Sequence, residues 1–153
     1  MKKHRVHLGE TGSSVELAIF NVGDITCALK SIEVQEIIKF QEITVVHHAP
    51  DYVRGVINLR GQIVTIIDMR KKFNMDRVDI SASMRIVIVK FGEEIVGLLV
   101  DGVSDIINAD IDEIDPPPSN LSGLNGSFFI GIFKKEDSLV AILNIQEILK
   151  IER

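Results

Sequence analysis

The chain has 153 residues with a net charge of −5, 25% charged and 46% hydrophobic side chains. That length suits one domain or two small ones. An acidic balance without a basic stripe argues against a nucleic-acid binder, whose affinity rests on lysine and arginine meeting phosphates, and against a membrane-surface role.

Aromatic residues are only 5% of the chain and there is no tryptophan, so isoleucine, valine and leucine must carry the core. That β-branched bias favours strands. In chain order, alternation and turn signals predict strands at 15–21, 25–29, 34–40, 43–46, 56–59 and 63–68. A single helical turn is predicted at 51–54 after Pro50, and another over 68–74. A second set of strands follows at 84–91, 95–101, 103–108, 128–133 and 139–144. The tail over 145–151 reads as a short helix with Asn144 as its N-cap.

The two sets are copies of one unit. Placing Gly23 on Gly92, an offset of 69, sets VQEII against VSDII without a gap. Placing Gly55 on Gly131, an offset of 76, sets IVTIIDMRKKF against LVAILNIQEIL. The second copy has therefore gained seven residues, within NADIDEIDPPPSNLSG. Repetition at this length implies a duplicated supersecondary unit, and five short strands per copy point to small barrels. The fold class expected is all-β: two pseudo-repeated SH3-like five-stranded barrels side by side, with short helices that include one at the C-terminus. The chain reads as one domain over 1–153, with a first barrel at 15–74, a second at 84–145 and a C-terminal helix at 145–153. Residues 63–67 are apolar on both faces, so one face fills a barrel and the other needs the second barrel as cover. The joint between the barrels should then be apolar, and an exposed groove there suits a helix.

Groups that activate one another are missing. There is no Gly-x-Ser-x-Gly, no phosphate-cradling glycine loop and no His-Glu-x-x-His. His4 and His7 stand near the start, and His47 and His48 are neighbours that point apart in an extended chain. Cys27 is the only cysteine, which excludes an internal disulfide and fits a reducing compartment. The opening MKKHRVHLGETGSS has no apolar segment behind it, unlike a signal peptide, and no apolar run approaches the roughly 18 residues of a membrane span. The expected setting is cytoplasmic. LLVDGVSD loosely resembles the aspartate turn of aspartic proteases, but the repeat puts Ile32, not a carboxylate, opposite Asp101. A two-lobed small-molecule sensor is a further alternative, although no polar groups converge in the sequence. No catalytic residue, metal or cofactor is expected.

The run APDYVRGVINLRGQIVTIIDMRKKF, with IEVQEII before it and EEIVGLLVDGVSDII after it, resembles the CheW-like domains of bacterial chemotaxis. The resemblance runs from about residue 15 to the end, and with no further domain the chain is similar to the stand-alone coupling protein. Thr65 and Met69 depart from the proline and leucine usual there. The resemblance implies two SH3-like barrels and a non-catalytic adaptor. Its partners would be the regulatory domain of the histidine kinase CheA and the helical-hairpin cytoplasmic tip of a chemoreceptor (a methyl-accepting chemotaxis protein). The adaptor would be recruited to receptor clusters at the inner face of the membrane. It further implies partner-binding roles for Arg60, Glu36, Val34, Gly55, Asn58, Gly97, Val103 and Ile106. Val34, Val103 and Ile106 also fit core positions, and Gly55 and Gly97 also fit positions of backbone need. Arg60 carries the sharpest expectation. Its hairpin, GVINLRG, keeps apolar Leu59 up to the turn and then shows one arginine, whereas the equivalent GIFKKED is merely charged and puts Glu136 opposite Arg60.

Overall fold

Four of the five two-residue hairpin turns among the described residues build most of the structure: Gly23–Asp24, Arg60–Gly61, Gly92–Glu93 and Glu136–Asp137. Such loops favour positive φ because that twist matches the flanking strands, and Gly23, Arg60, Gly61, Gly92 and Glu136 all adopt it. The computed structural model describes residues 13–150. The turns join β1 (Ser14–Val22) to β2 (Ile25–Lys30), β4 (Val53–Leu59) to β5 (Gln62–Asp68), β6 (Arg85–Phe91) to β7 (Glu94–Val100), and β11 (Phe129–Lys135) to β12 (Ser138–Leu143). Between them run β3 (Val34–Lys39), β8 (Gly102–Asp110) and the two-residue strands β9 (Asn120–Leu121) and β10 (Leu124–Asn125). Helices α1 (Met69–Lys72) and α2 (Ile145–Ile148) follow β5 and β12. Asp68 caps α1 by accepting from Arg70 N at 3.0 Å, and Asn144 caps α2 by accepting from Glu147 N at 3.4 Å. Side-chain acceptors of this kind satisfy backbone donors left open at a helix start.

The repeat holds in register and in detail. Leu17 faces Ile107 as Ile86 faces Ile38, and Cys27 faces Ala141 as Val96 faces Thr65. Bulges fall at equivalent places, between Val53 and Gly55 and between Phe129 and Gly131. Two five-stranded sheets result, ordered β11-β12-β2-β1-β8 and β3-β6-β7-β5-β4. They correspond strand for strand under the repeat.

The division of those sheets differs from the expected barrels at 15–74 and 84–145. One sheet, the inner, is the continuous stretch β3 to β7. The other, the outer, is made of β1 and β2 together with β8, β11 and β12. The physical reason lies in the repeat itself. Local turns fix each hairpin, but the β1–β2 and β6–β7 hairpins are equivalent, so either satisfies the partner sites of either copy. The chosen pairings are the parallel contacts β2 with β12 and β7 with β5, and parallel neighbours require a long crossover.

Other boundaries move by a few residues. The strand expected at 43–46 is reduced to one bridge, Thr44 with Val56, and the turn expected at 51–54 gives way to β4 at Val53. The equivalent bridge joins Asp115 to Ile132, so two of the seven extra residues precede Asp115 and five follow it. Those five accompany the β9–β10 hairpin, which sequence reading missed. The helix expected at 145–151 ends at Ile148, and its last residue, like 151–153 of the expected C-terminal helix, lies outside the described residues. His4 and His7 lie outside them too.

Three apolar clusters hold the molecule. One fills the outer sheet, with Leu17, Ile19, Phe133 and Ile142. Another fills the inner sheet, with Ile57, Leu59, Ile66 and Ile88. The largest lies between the sheets and joins Phe20, Leu29 and Leu143 of one to Ile67, Val89 and Leu98 of the other, with Met69 and Ile148 of the two helices. The apolar joint expected from two-faced strands is therefore present. Burial on this scale is the main favourable term in folding.

Candidate functional site

Arg60 begins the β4–β5 turn with φ 52, and Gly61 follows at φ 84. Both residues of a type I′ turn need positive φ, a place where asparagine or glycine fits with least strain. Asn58 secures the turn, its Oδ1 accepting from Gly61 N at 2.8 Å. The turn therefore explains Asn58 but gives no reason to prefer arginine at position 60.

The guanidinium of Arg60 forks onto Glu36 of β3. Nη1 donates to Oε1 at 3.3 Å and Nη2 to Oε2. β3 and β4 lie at opposite edges of the inner sheet. The pair therefore draws the hairpin tip across to the far edge, and the Thr44–Val56 bridge brings the chain leaving β3 to β4 in the same sense. The hydrogen bonding to Glu36, and then that residue's charge, hold the guanidinium pKa above its ordinary value. The Arg60 side chain stays 66% exposed and that of Glu36 29% exposed, so the charge faces outward while fixed in direction.

The outer sheet corrects one sequence expectation. Its hairpin is not merely charged. Lys135, one residue before the equivalent of Arg60, places Nζ 3.2 Å from Oδ2 of Asp105, the equivalent of Glu36. The hydrogen bond from Lys135, aided by one from Ser104, lowers the Asp105 pKa. A cation at the hairpin tip bound to the edge strand is thus a feature of both copies. What distinguishes Arg60 is its greater reach and exposure.

The other expected residues divide by burial. Val34 and Val103, equivalent under the repeat, are half-buried and pack on the cluster between the sheets. They stand on β3 and β8, an edge strand of each sheet, and so flank the joint. Ile106 is 62% exposed and its equivalent, Ile37, 38%. Gly55 and Gly97 are buried and offer no surface to a partner. A Cβ on Gly55 would sit 2.0 Å from the Thr44 carbonyl oxygen, so the glycine is what lets the bridge to β4 form. On Gly97 a Cβ would sit 2.5 Å from Ile66 Cδ1 and 2.8 Å from Ile86 Cγ2. Gly97 is therefore a packing residue of β7.

Sequence reading missed two ionic groups beside these residues. Asp68 is buried, and besides capping α1 it pairs with Arg54 at 3.1 Å and Arg77 at 3.3 Å. Asp101 accepts from Arg70 Nε at 2.9 Å and Nη2 at 2.7 Å. That hydrogen bonding raises the Arg70 pKa against the opposing effect of burial. Asp101 thus meets a cation instead of a second carboxylate. Cys27 is buried, and desolvation followed by the charge of Asp101 drives its thiol pKa far upward. His47 and His48 are exposed. Among the described residues, no three His, Cys, Asp or Glu side chains gather as metal ligands, and no helix is long and apolar enough to cross a membrane.

Paired five-stranded sheets that share an apolar joint, with charged hairpin tips and half-buried valines on the edge strands, define a small all-β recognition module. The CheW-like domain model matches residues 16–153, and the chain belongs to that family. It is 33% identical over 144 residues to the chemotaxis protein CheW of Klebsiella aerogenes, covering 94% of this chain and 86% of that one. With CheW of Helicobacter pylori it shares 36% over 131 residues, covering 86% of this chain and 79% of the other. The crystal structure of the scaffolding protein TtCheW from Thermoanaerobacter tengcongensis superposes with a TM-score of 0.85 at 29% identity, over 98% of this chain and 96% of that one.

Proposed function

We propose that this protein is a non-catalytic adaptor that couples the cytoplasmic tips of chemoreceptors to the histidine kinase CheA in bacterial chemotaxis. The observation that carries this reading is the match to CheW proteins along nearly the whole chain, in sequence and in fold. The geometry supplies the means. A helical hairpin docks along the apolar joint flanked by Val34 and Val103, and Arg60, steered by Glu36, meets a carboxylate or carbonyl at its rim. Arginine is among the residue types that most often anchor such contacts. The kinase's regulatory domain, a relative of the same fold, takes a separate surface. The adaptor works in the cytoplasm at the inner face of the membrane.

The test is capture, in separate experiments, of a receptor-tip fragment and of a kinase regulatory domain by the purified protein. Binding of both supports the coupling role. Binding of neither, at concentrations of tens of micromolar, sinks it.

A further inference from the structure

Asp101 is the single residue between β7 and β8, where the chain passes from one sheet to the other. Its carboxylate meets Arg70 of α1 side-on, through Nε and Nη2, and also accepts from Gly23 N at 2.9 Å in the β1–β2 turn. Its own N–H donates to Asn21 O at 2.9 Å, and its carbonyl accepts from Ser83 Oγ at 3.1 Å. One residue thus ties together the helix after β5, the first hairpin of the outer sheet and the segment leading into β6. A forked arginine–carboxylate pair fixes direction as well as distance.

The equivalent crossing is built from different residues. There β2 passes to β3 through a 3-10 turn at Ser31–Glu33. Ile32 stands in the place of Asp101 and is 81% exposed, and Gln146, in the place of Arg70, is exposed as well. The Asp101–Arg70 tie therefore has no counterpart at the equivalent pair of positions. The cluster between the sheets is apolar, and apolar attraction is non-directional. Directional contacts add to it: Lys72 Nζ of α1 donates to Lys150 O beyond α2 at 3.0 Å, and the Asp101–Arg70 fork stands at the crossing itself.

We infer that Asp101, acting through Arg70, is a positioning residue that sets the orientation of the two sheets. The shape of the joint between Val34 and Val103 then depends on it. That last step rests on the adaptor reading; the orientation itself does not.

Spin labels on Lys39→Cys in β3 and Asn108→Cys in β8 occupy equivalent exposed positions in the two sheets, and buried Cys27 stays unlabelled in the folded protein. Pulsed dipolar spectroscopy then reads the distance between the sheets. Asp101→Asn and Arg70→Gln should each broaden or shift the distribution, and Asp101→Glu, which keeps the charge, should return it toward the parent. If either neutralising variant fails to fold, the other decides. A folded neutral variant with the parent's distribution overturns the inference. Affinity for a receptor-tip hairpin, measured on the same proteins, should fall about five-fold or more. A changed distribution with unchanged affinity upholds the positioning role and overturns docking at the joint instead.

Discussion

Asp105 accepts from Lys135 in the outer sheet as Glu36 accepts from Arg60 in the inner one. Residues 69 apart on the two edge strands thus hold cations offered by the two hairpin tips. The tie is a property of the repeated unit, and what sets Arg60 apart is its exposure, 66% against 36% for Lys135.

Exposed ion pairs contribute little to stability, so Arg60→Glu should leave the far-UV spectrum and the melting point almost unchanged while weakening receptor or kinase binding. The double variant Glu36→Arg with Arg60→Glu restores the pair in reverse. It should bind as poorly as the single variant if the outward charge is what the partner reads. Recovery of binding by the double variant would show that only the tie matters.

Gly97 should behave differently. An added methyl meets Ile66 and Ile86 inside a packed sheet, and overpacking of this kind costs about 1–3 kcal/mol. Gly97→Ala is expected to lower the urea midpoint accordingly, with any binding loss following the loss of folded protein. Weakened binding at unchanged stability would return Gly97 to the partner surface.

Asp68 separates capping from charge. Asn144 caps α2 in the equivalent position without a charge. Asp68→Asn should therefore keep most of the cap, worth about 1 kcal/mol, while leaving Arg54 and Arg77 unpaired. Asp68→Ala removes both, and the arginines it leaves, with side chains 24% and 46% exposed, are partly compensated by water. Denaturant unfolding should rank the proteins parent, Asn, Ala. Equal losses for the two variants would mean that the cap contributes nothing.

Cys27 gives a probe of the whole fold. Burial keeps its thiol protonated, and only the thiolate reacts. A thiol reagent at mildly alkaline pH should label it only as fast as the protein opens, and rapidly in denaturant. Fast labelling under native conditions would show that the outer sheet opens locally near β2.

The four long hairpins were legible in the sequence because their turns are glycines or charged residues between alternating strands, and Gly23 and Gly92 disclosed the repeat; the β9–β10 hairpin was not, because strands of two residues show no alternation. The cap Asn144 was legible for a similar reason, since an acceptor before a short apolar run has few other uses, whereas Asp68 is the first residue of the helical turn expected over 68–74 and proves to be the cap of α1. The assignment of hairpins to sheets was not legible, because equivalent strands carry equivalent patterns. Lys135 was overlooked because alignment pairs residues by position, whereas the ion pair needs only that a long side chain reach the edge strand from nearby. Asp101 was weighed as a reactive group because its partner, Arg70, stands 31 residues away on another element. For Gly55 and Gly97 the choice between a partner surface and backbone need stays open in the sequence, which carries no signal of the Thr44 carbonyl or the Ile66 and Ile86 side chains that press on them.

The nested strand order has a consequence for synthesis. The inner sheet is complete once Val100 has emerged, but the first hairpin, made before it, waits for β8, β11 and β12, which come last. Chains emerging from the ribosome tend to fold in units as those units are finished. For this protein the earliest strands belong to the latest unit. Until the C-terminal third arrives, β1 and β2 expose both an unsatisfied edge and the apolar face that later meets Phe133 and Ile142. A chain truncated after β7 would keep that exposure permanently, a ready cause of aggregation.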